Sequence, residues 1–242
     1  MTTRLSDIAG ILFDKDGTLL SYDDSWGPVN REAARIGAAG GGVALEERLL
    51  RAAGMDPESG RTAADSLFAA GTAAQIAAGF VAAGSPVPVG PLTEALDDLF
   101  VRGAQHSVPV TDLSGFFARL KARGFRLGVA SSDNERAIRE TARRFGFLEH
   151  LDFIAGYDSG HGCKPEPGMV LGFCQAVGLF PSQVAMVGDN NHDLHMAAAA
   201  GCGLKVAVLT GTGSVASLQA AADHVLGDIT DLETLLPERQ LA

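Results

Sequence analysis

A chain of 242 residues with 46 % hydrophobic and 20 % charged side chains suffices for one large α/β domain or for a core with a smaller companion. It holds no run apolar enough for long enough to cross a bilayer. A formal net charge of −10 argues against nucleic acid, whose phosphates are bound through clustered Lys and Arg, and leaves a small anion to be met by local positive groups. The opening MTTRLSDIAG lacks the apolar core of a secretory signal, so the expected location is the cytoplasm. There Cys163, Cys174 and Cys202 would be reduced thiols, mostly packing residues.

The first apolar run, at 8–13, predicts a buried strand that ends in DKDGT at 14–18. From about 22 to 108 the sequence is rich in Ala and Gly, with no convincing strand and with helices expected at 29–38, 44–53, 63–70, 73–83 and 92–103. The segment SPVPVGP at 85–91 breaks helices there. Thr111 or Asp112 then caps a helix running to Arg123. Beyond it, β-type runs at 126–130, 153–155, 183–187, 205–209 and 224–226 alternate with helical stretches. Such alternation predicts a doubly wound parallel sheet, and the near-continuous apolar character of the runs suits strands covered on both faces. The expected organisation is a core of residues 1–21 and 109–242, with a small helical cap domain of residues 22–108 inserted after the first strand.

Ligands in such a sheet collect at the carboxyl ends of its strands, and the polar residues fall there. Asp14 and Asp16 follow the first strand, Ser131 the second, Lys164 the third, and Asp189 and Asp193 the fourth, in GDNNHD at 188–193. Each has a plain structural reading alone: a turn for Asp-x-Asp-Gly, a helix cap for Ser131, a solvated loop charge for Lys164, first-turn helix acids for the last pair. Coincidence at four strand ends favours a working site. Two carboxylates one residue apart repel, and adding Asp189 and Asp193 near an anionic substrate demands a cation, for which an all-oxygen ligand set suits Mg²⁺. A phosphate monoester needs an in-line nucleophile, a proton donor for the departing oxygen and positive charge around the phosphoryl group. Asp14 is the candidate nucleophile. Asp16, two residues along an extended chain and so on the same side, is the acid and base; Lys164 supplies positive charge and Ser131 a hydroxyl.

Taken together, DKDGT, Ser131, Lys164 before Pro165 and GDNNHD resemble the motifs of the haloacid dehalogenase-like hydrolases, in the expected order over roughly residues 5–22 and 109–236. The core and cap are most similar to phosphoglycolate phosphatase-like members with a type 1 helical cap. The resemblance implies a Mg²⁺-dependent phosphatase of a small phosphorylated metabolite working through an aspartyl-phosphate, phosphoglycolate or a sugar phosphate being the leading substrates. It implies metal ligation by Asp14, the backbone carbonyl of Asp16, Asp189 and, directly or through water, Asp193. Substrate contacts are expected from Asp14, Asp16, Gly17, Thr18, Ser131, Ser132 and Lys164. Asp16 disfavours dehalogenation, and the absence of any Lys between Lys15 and Lys121 disfavours phosphonate cleavage through a cap Schiff base.

A phosphomutase remains open if cap cations among Arg31, Arg35, Arg48, Arg51, Arg61 and Arg102 hold a phosphorylated intermediate. A phospho-aspartate receiver is a remote alternative, since it needs no cap and Asp16 would hasten loss of its signal. Lys15 is expected to point away from Asp14 and Asp16 in a structural or rim role. A loop or surface role is expected for His192 and His195, helix capping for Ser132, Asp133 and Asn134, a helix start for GTGSVASL at 211–218, and no reactivity for His161 and Cys163. The connections at 20–24 and 107–111 are the expected cap hinges.

Overall fold

A computed structural model describes residues 5–103 and 107–237. Its centre is a six-stranded parallel sheet in the order β3-β2-β1-β4-β5-β6. The strands are β1 (Gly10–Phe13), β2 (Arg126–Ala130), β3 (Phe153–Ala155), β4 (Val184–Gly188), β5 (Leu204–Val208) and β6 (His224–Leu226). Every residue of β1 and β4 is buried, as expected for central strands with helices on both faces. On one face Phe13 meets Phe116 and Phe117, with Phe147 stacked on Phe117 at 4.6 Å. On the other, Met169, Phe173, Met186 and Met196 form a separate cluster with Leu12.

Between β1 and β2 lies the helical insertion: α1 (Tyr22–Ala38), α2 (Val43–Ala52), α3 (Leu67–Ala70), α4 (Ala73–Ala82) and α5 (Val89–Gly103). It has its own hydrophobic core, built around Trp26, Leu49, Phe68, Phe80, Leu96 and Phe100. The remaining helices are α6 (Leu113–Ala122), α7 (Glu135–Arg144), α8 (Gly168–Val177), α9 (Asn191–Ala200), α10 (Val215–Leu218) and α11 (Leu232–Leu235). None of the described helices is long and apolar enough to cross a membrane.

Three expectations change at the insertion. The first helix starts at Tyr22, continuing through Gly27 and Pro28, because Tyr22, Trp26 and Val29 bury on one face and outweigh the poor local propensity of Gly-Pro. The stretch expected as helix at 63–70 is helical only from Leu67, since Asp65 adopts a left-handed φ of 59° and Ser66 then caps by accepting from the Ala69 N–H. Pro91 lies inside the first turn of α5 rather than breaking it, at a position where a missing N–H leaves no helical bond unmade. Asp112 caps α6, accepting from the Gly115 N–H at 3.2 Å. The two connections to the insertion run side by side: Ser21 N–H donates to the Val108 carbonyl at 2.9 Å and Val110 N–H to the Leu19 carbonyl at 3.0 Å.

Candidate active site

Strand order reverses at β1, whose neighbours are β2 and β4, so the chain leaves a crevice above the carboxyl ends of these central strands. Asp14 sits at its floor, its N–H bonded to the Val187 carbonyl of β4 at 2.8 Å. Lys164, carried in by the loop after β3, is buried and places Nζ 2.5 Å from Asp14 Oδ1 and 2.6 Å from Asp193 Oδ1. Asp193 is the third residue of α9 and also accepts from the Asn190 N–H at 3.2 Å, closing that helix's capping box.

Asp14, Asp189 and Asp193 are all buried, and one carboxylate oxygen from each lies within 4.8 Å of the other two. Burial, reinforced by the Asp14 and Asp193 carboxylates, pushes Asp189 well above the usual carboxylate range. Burial likewise raises Asp193 to about 6, against the lowering pull of Lys164. For Lys164 itself burial disfavours the charged form, but Asp14 and Asp193 outweigh it and hold the ammonium above its ordinary value. One ammonium facing three buried carboxylates leaves a shortage of positive charge, and hard oxygen donors at this spacing fit a divalent cation.

Asp189 is held from behind. Thr212 N–H donates to its Oδ2 at 2.9 Å, and Thr18 Oγ1 lies 3.5 Å from its Oδ1. Gly17 turns at φ 87°, where a Cβ would come within 2.6 Å of the Asp189 carboxyl. A Cβ at Gly211 would come within 1.8 Å, so both positions must be glycine for the carboxylate to fit. Gly17 and Thr18 thus pack on Asp189 and do not line the cavity. The segment 211–218 does start a helix, α10, capped by Ser214, but the loop preceding that cap is also what fixes Asp189.

Asp16 faces the same cavity, accepting from Trp26 Nε1 at 2.8 Å and from Lys15 Nζ at 2.7 Å. Lys15 does not point away, as strand alternation implies. It is 1 % exposed and bridges Asp16 and Asp133, reaching the latter at 3.1 Å. The strand ends at Phe13, and the N–H groups of Leu19 and Leu20 both turn back onto the Lys15 carbonyl, so two-residue alternation does not carry over to Lys15. Asp16 is raised to about 6 by burial first, with Lys15 opposing and Asp133 and Asp14 adding to the rise.

Ser131 lines the cavity and its hydroxyl accepts from the Asp133 N–H at 3.1 Å. Ser132, expected as a cap or substrate contact, lines the cavity and donates its hydroxyl to the Ala70 carbonyl of the insertion at 2.8 Å, while Asn134 is the residue that caps α7. His192 also departs from expectation: half-buried, it lines the cavity, with burial lowering its basicity. His195 is exposed. The Cys163 thiol is raised by burial, consistent with an unreactive role.

The cavity has a roof that the motifs did not reveal: Tyr22, Trp26, Asn30, Phe68, Ile76 and Phe100 line it from the insertion. No local spacing marks these residues, which come from α1, α3, α4 and α5; the available signal was the cluster of aromatics in an otherwise Ala-rich region.

The model of the haloacid dehalogenase-like hydrolases matches residues 8–201. The chain belongs to this family. Among curated haloacid dehalogenase-like relatives, the phosphoglycolate phosphatase of Chromobacterium violaceum is 30 % identical over 61 % of this chain and 67 % of its own length. The N-acetylmuramic acid 6-phosphate phosphatase of Pseudomonas aeruginosa is 26 % identical over 80 % of this chain and 79 % of its own. Coverage of another relative, the phosphoglycolate phosphatase of Neisseria meningitidis, is 57 % of its length. Among solved structures, a predicted phosphoglycolate phosphatase from Haemophilus somnus superposes with a TM-score of 0.71 at 18 % identity, covering 96 % of this chain and 99 % of that one. CbbY from Rhodobacter sphaeroides, in complex with phosphate, gives 0.67 at 22 % identity, covering 93 % and 99 %. At these identities the structural likenesses establish the fold.

Proposed function

We propose that this haloacid dehalogenase-like phosphatase hydrolyses a small phosphomonoester through an aspartyl-phosphate on Asp14, with Mg²⁺ as its metal. The observation that carries the reading is the convergence in one cavity of Asp14, Asp16, Ser131 and Lys164 with the buried Asp14, Asp189 and Asp193 cluster. Asp14 carboxylate oxygen attacks phosphorus in line, forming an acyl-phosphate bond as the ester P–O bond breaks. Asp16, protonated, gives its proton to the departing alkoxide; deprotonated, it then takes one from the water that cleaves the acyl-phosphate. A carboxyl raised to about 6 populates both forms near neutral pH, as that double role requires. Lys164 and the Ser131 hydroxyl hold the phosphoryl oxygens and neutralise their charge. Asp14, Asp189, Asp193 and the Asp16 carbonyl would hold Mg²⁺, which supplies the positive charge that Lys164 alone cannot.

The mutase alternative needs cap cations at the cavity. Arg31, Arg35, Arg48, Arg51, Arg61 and Arg102 are all exposed, and none lines it. A receiver would be poorly served by Asp16 poised to hydrolyse its own signal. Phosphoglycolate and sugar phosphates, the substrates named for relatives of this chain, are the first esters to assay. The test is phosphate release from a panel of such esters, with Mg²⁺ and with chelator, by wild type and Asp14→Asn. Metal-dependent release that disappears in Asp14→Asn is expected; folded wild-type protein that releases phosphate from no ester overturns the proposal.

A further inference from the structure

Resting on the phosphatase reading, the composition of the cavity roof narrows the substrate. We infer that the leaving group is an uncharged, hydroxyl-bearing alcohol with an apolar face, such as a neutral sugar, and that a second anionic group on the substrate is rejected.

The inference follows from where positive charge is and is not. On the roof, Tyr22, Trp26, Phe68, Ile76 and Phe100 present aromatic and aliphatic surface, and Asn30 is the sole amide there among the described residues. Tyr22 and Asn30 are tied to one another and to the chain: the Tyr22 hydroxyl donates to the Phe68 carbonyl at 2.8 Å and accepts from Asn30 Nδ2 at 3.4 Å. The six cap arginines face solvent, several already engaged: Arg31 with the Pro57 carbonyl, Arg35 with Glu32, Arg51 near Asp56 and Glu58. Helix α4 begins beside the wall, where Gly71 and Ile76 line the cavity, but its capping box already occupies the N–H groups of Thr72 and Gln75.

On the floor, Lys164 is committed to Asp14 and Asp193, and Lys15 to Asp16 and Asp133. A carboxylate on the leaving group would therefore lose its water against an apolar wall, near Asp16 and Asp133, with no described cation to receive it. A neutral sugar instead lays its C–H face on the aromatic rings. Its hydroxyls, which both donate and accept, suit the polar residues of the lining, among them Asn190 and His192, whose Nδ2 and Nδ1 have no hydrogen-bond partner in the protein; a third such atom, Asp133 Oδ2, is already ion-paired with Lys15.

Matched substrate pairs test this directly. In each pair the phosphate is the same and a carboxylate replaces a hydroxymethyl group: phosphoglycolate against 2-hydroxyethyl phosphate, and 6-phosphogluconate against sorbitol 6-phosphate. For the Mg²⁺-loaded wild type, kcat/KM is expected to favour the neutral member of each pair by about 100-fold. Ala69→Arg, a change at a half-buried position of the wall, should narrow both ratios at least tenfold by supplying the absent cation. Equal or better turnover of the carboxylate members overturns the inference while leaving the phosphatase reading intact, and so do ratios unmoved in a folded, active Ala69→Arg. Absence of phosphate release from all four esters removes the phosphatase reading and this inference with it.

Discussion

The floor and the roof of the cavity are built on opposite principles. Four strand ends and the first turn of α9 deliver the floor, which crowds Asp14, Asp189 and Asp193 around Lys164, all buried, with oxygen and nitrogen atoms 2.5–2.6 Å apart across the ion pairs. Four helices of the insertion deliver the roof, which keeps its arginines outside and shows the cavity aromatic rings. Burying like charges costs stability, which protonation or a bound cation offsets, so the floor is the part whose stability depends on pH and on a cation; the roof is an ordinary apolar surface whose packing is indifferent to both. The division suggests that a common reaction is held in the sheet, where positions are rigid, while selectivity is held in the insertion, which can vary without disturbing the carboxylates.

After the complete loss expected at Asp14, the largest effect should come where floor and roof meet. Asp16 belongs to the core segment yet accepts a hydrogen bond from Trp26 of α1. Asp16→Asn keeps the shape and removes the proton that the leaving alkoxide needs, so kcat on an alkyl phosphate should fall by ~10²–10⁴-fold. On p-nitrophenyl phosphate, whose phenolate departs unaided, the first step should be far less affected. A burst of p-nitrophenolate followed by slow turnover, read by stopped flow, would place the remaining defect in hydrolysis of the acyl-phosphate. An equal loss of the first step on both esters would show that Asp16 is not the acid.

The floor should also be the part that responds to pH and metal. The folded-state values of Asp16 and Asp193 are both raised to about 6 from 3.8, with burial the first cause. A raised carboxyl keeps in the folded state a proton that the unfolded chain has released. Its stabilising contribution is therefore complete below the unfolded value and is lost as pH rises through about 6. Asp189, raised in the same direction, adds to the loss. In chelator the Tm should accordingly drop between pH 5 and pH 7.5, by an amount corresponding to a few kcal/mol. Mg²⁺ should restore it, most at the upper end of the range, because the ligands must be deprotonated to bind. Differential scanning calorimetry at several pH values, with and without metal, measures both. A chelated protein whose Tm rises over this interval would mean that these carboxyls are charged at little cost in the fold.

How much of this was legible beforehand divides along the same line. The floor is written in contiguous motifs, because a sheet that gathers strand ends lets each short run after a strand contribute a residue to one point. Asp14, Lys164, Asp189 and Asp193 therefore share the cavity that the order of motifs suggests, and β2 and β3 occupy the expected residues. The roof is assembled from helices far apart in sequence, and Tyr22, Trp26, Phe68 and Phe100 converge only through tertiary packing. Trp26 was obscured further because Gly27 and Pro28 hid the start of α1. The direction of Lys15 escapes strand alternation because Lys15 lies past the strand's end. Thr212, whose N–H steadies Asp189 from the loop after β5, carries no side-chain chemistry for a motif to record.

The smallest expected effect is the one that separates wall from machinery at a single residue. Trp26 is both. Its ring packs edge-on against Phe100 at 5.3 Å between centroids and lies 5.2 Å from the Lys15 ammonium, while its indole N–H is bonded to Asp16. Trp26→Phe keeps most of the apolar surface and removes the donor, leaving Lys15 as the remaining side-chain donor to Asp16 in the described contacts. One lost hydrogen bond of this kind corresponds to roughly 1 kcal/mol, a fall of about fivefold, and it should appear in kcat with KM nearly unchanged, because the roof still meets the substrate. Steady-state kinetics on the preferred ester measure the two constants separately. A raised KM at constant kcat would instead make Trp26 a wall residue alone, and orientation of Asp16 would then rest on Lys15, whose ammonium reaches Asp133 as well and so anchors the acid to the segment that follows β2.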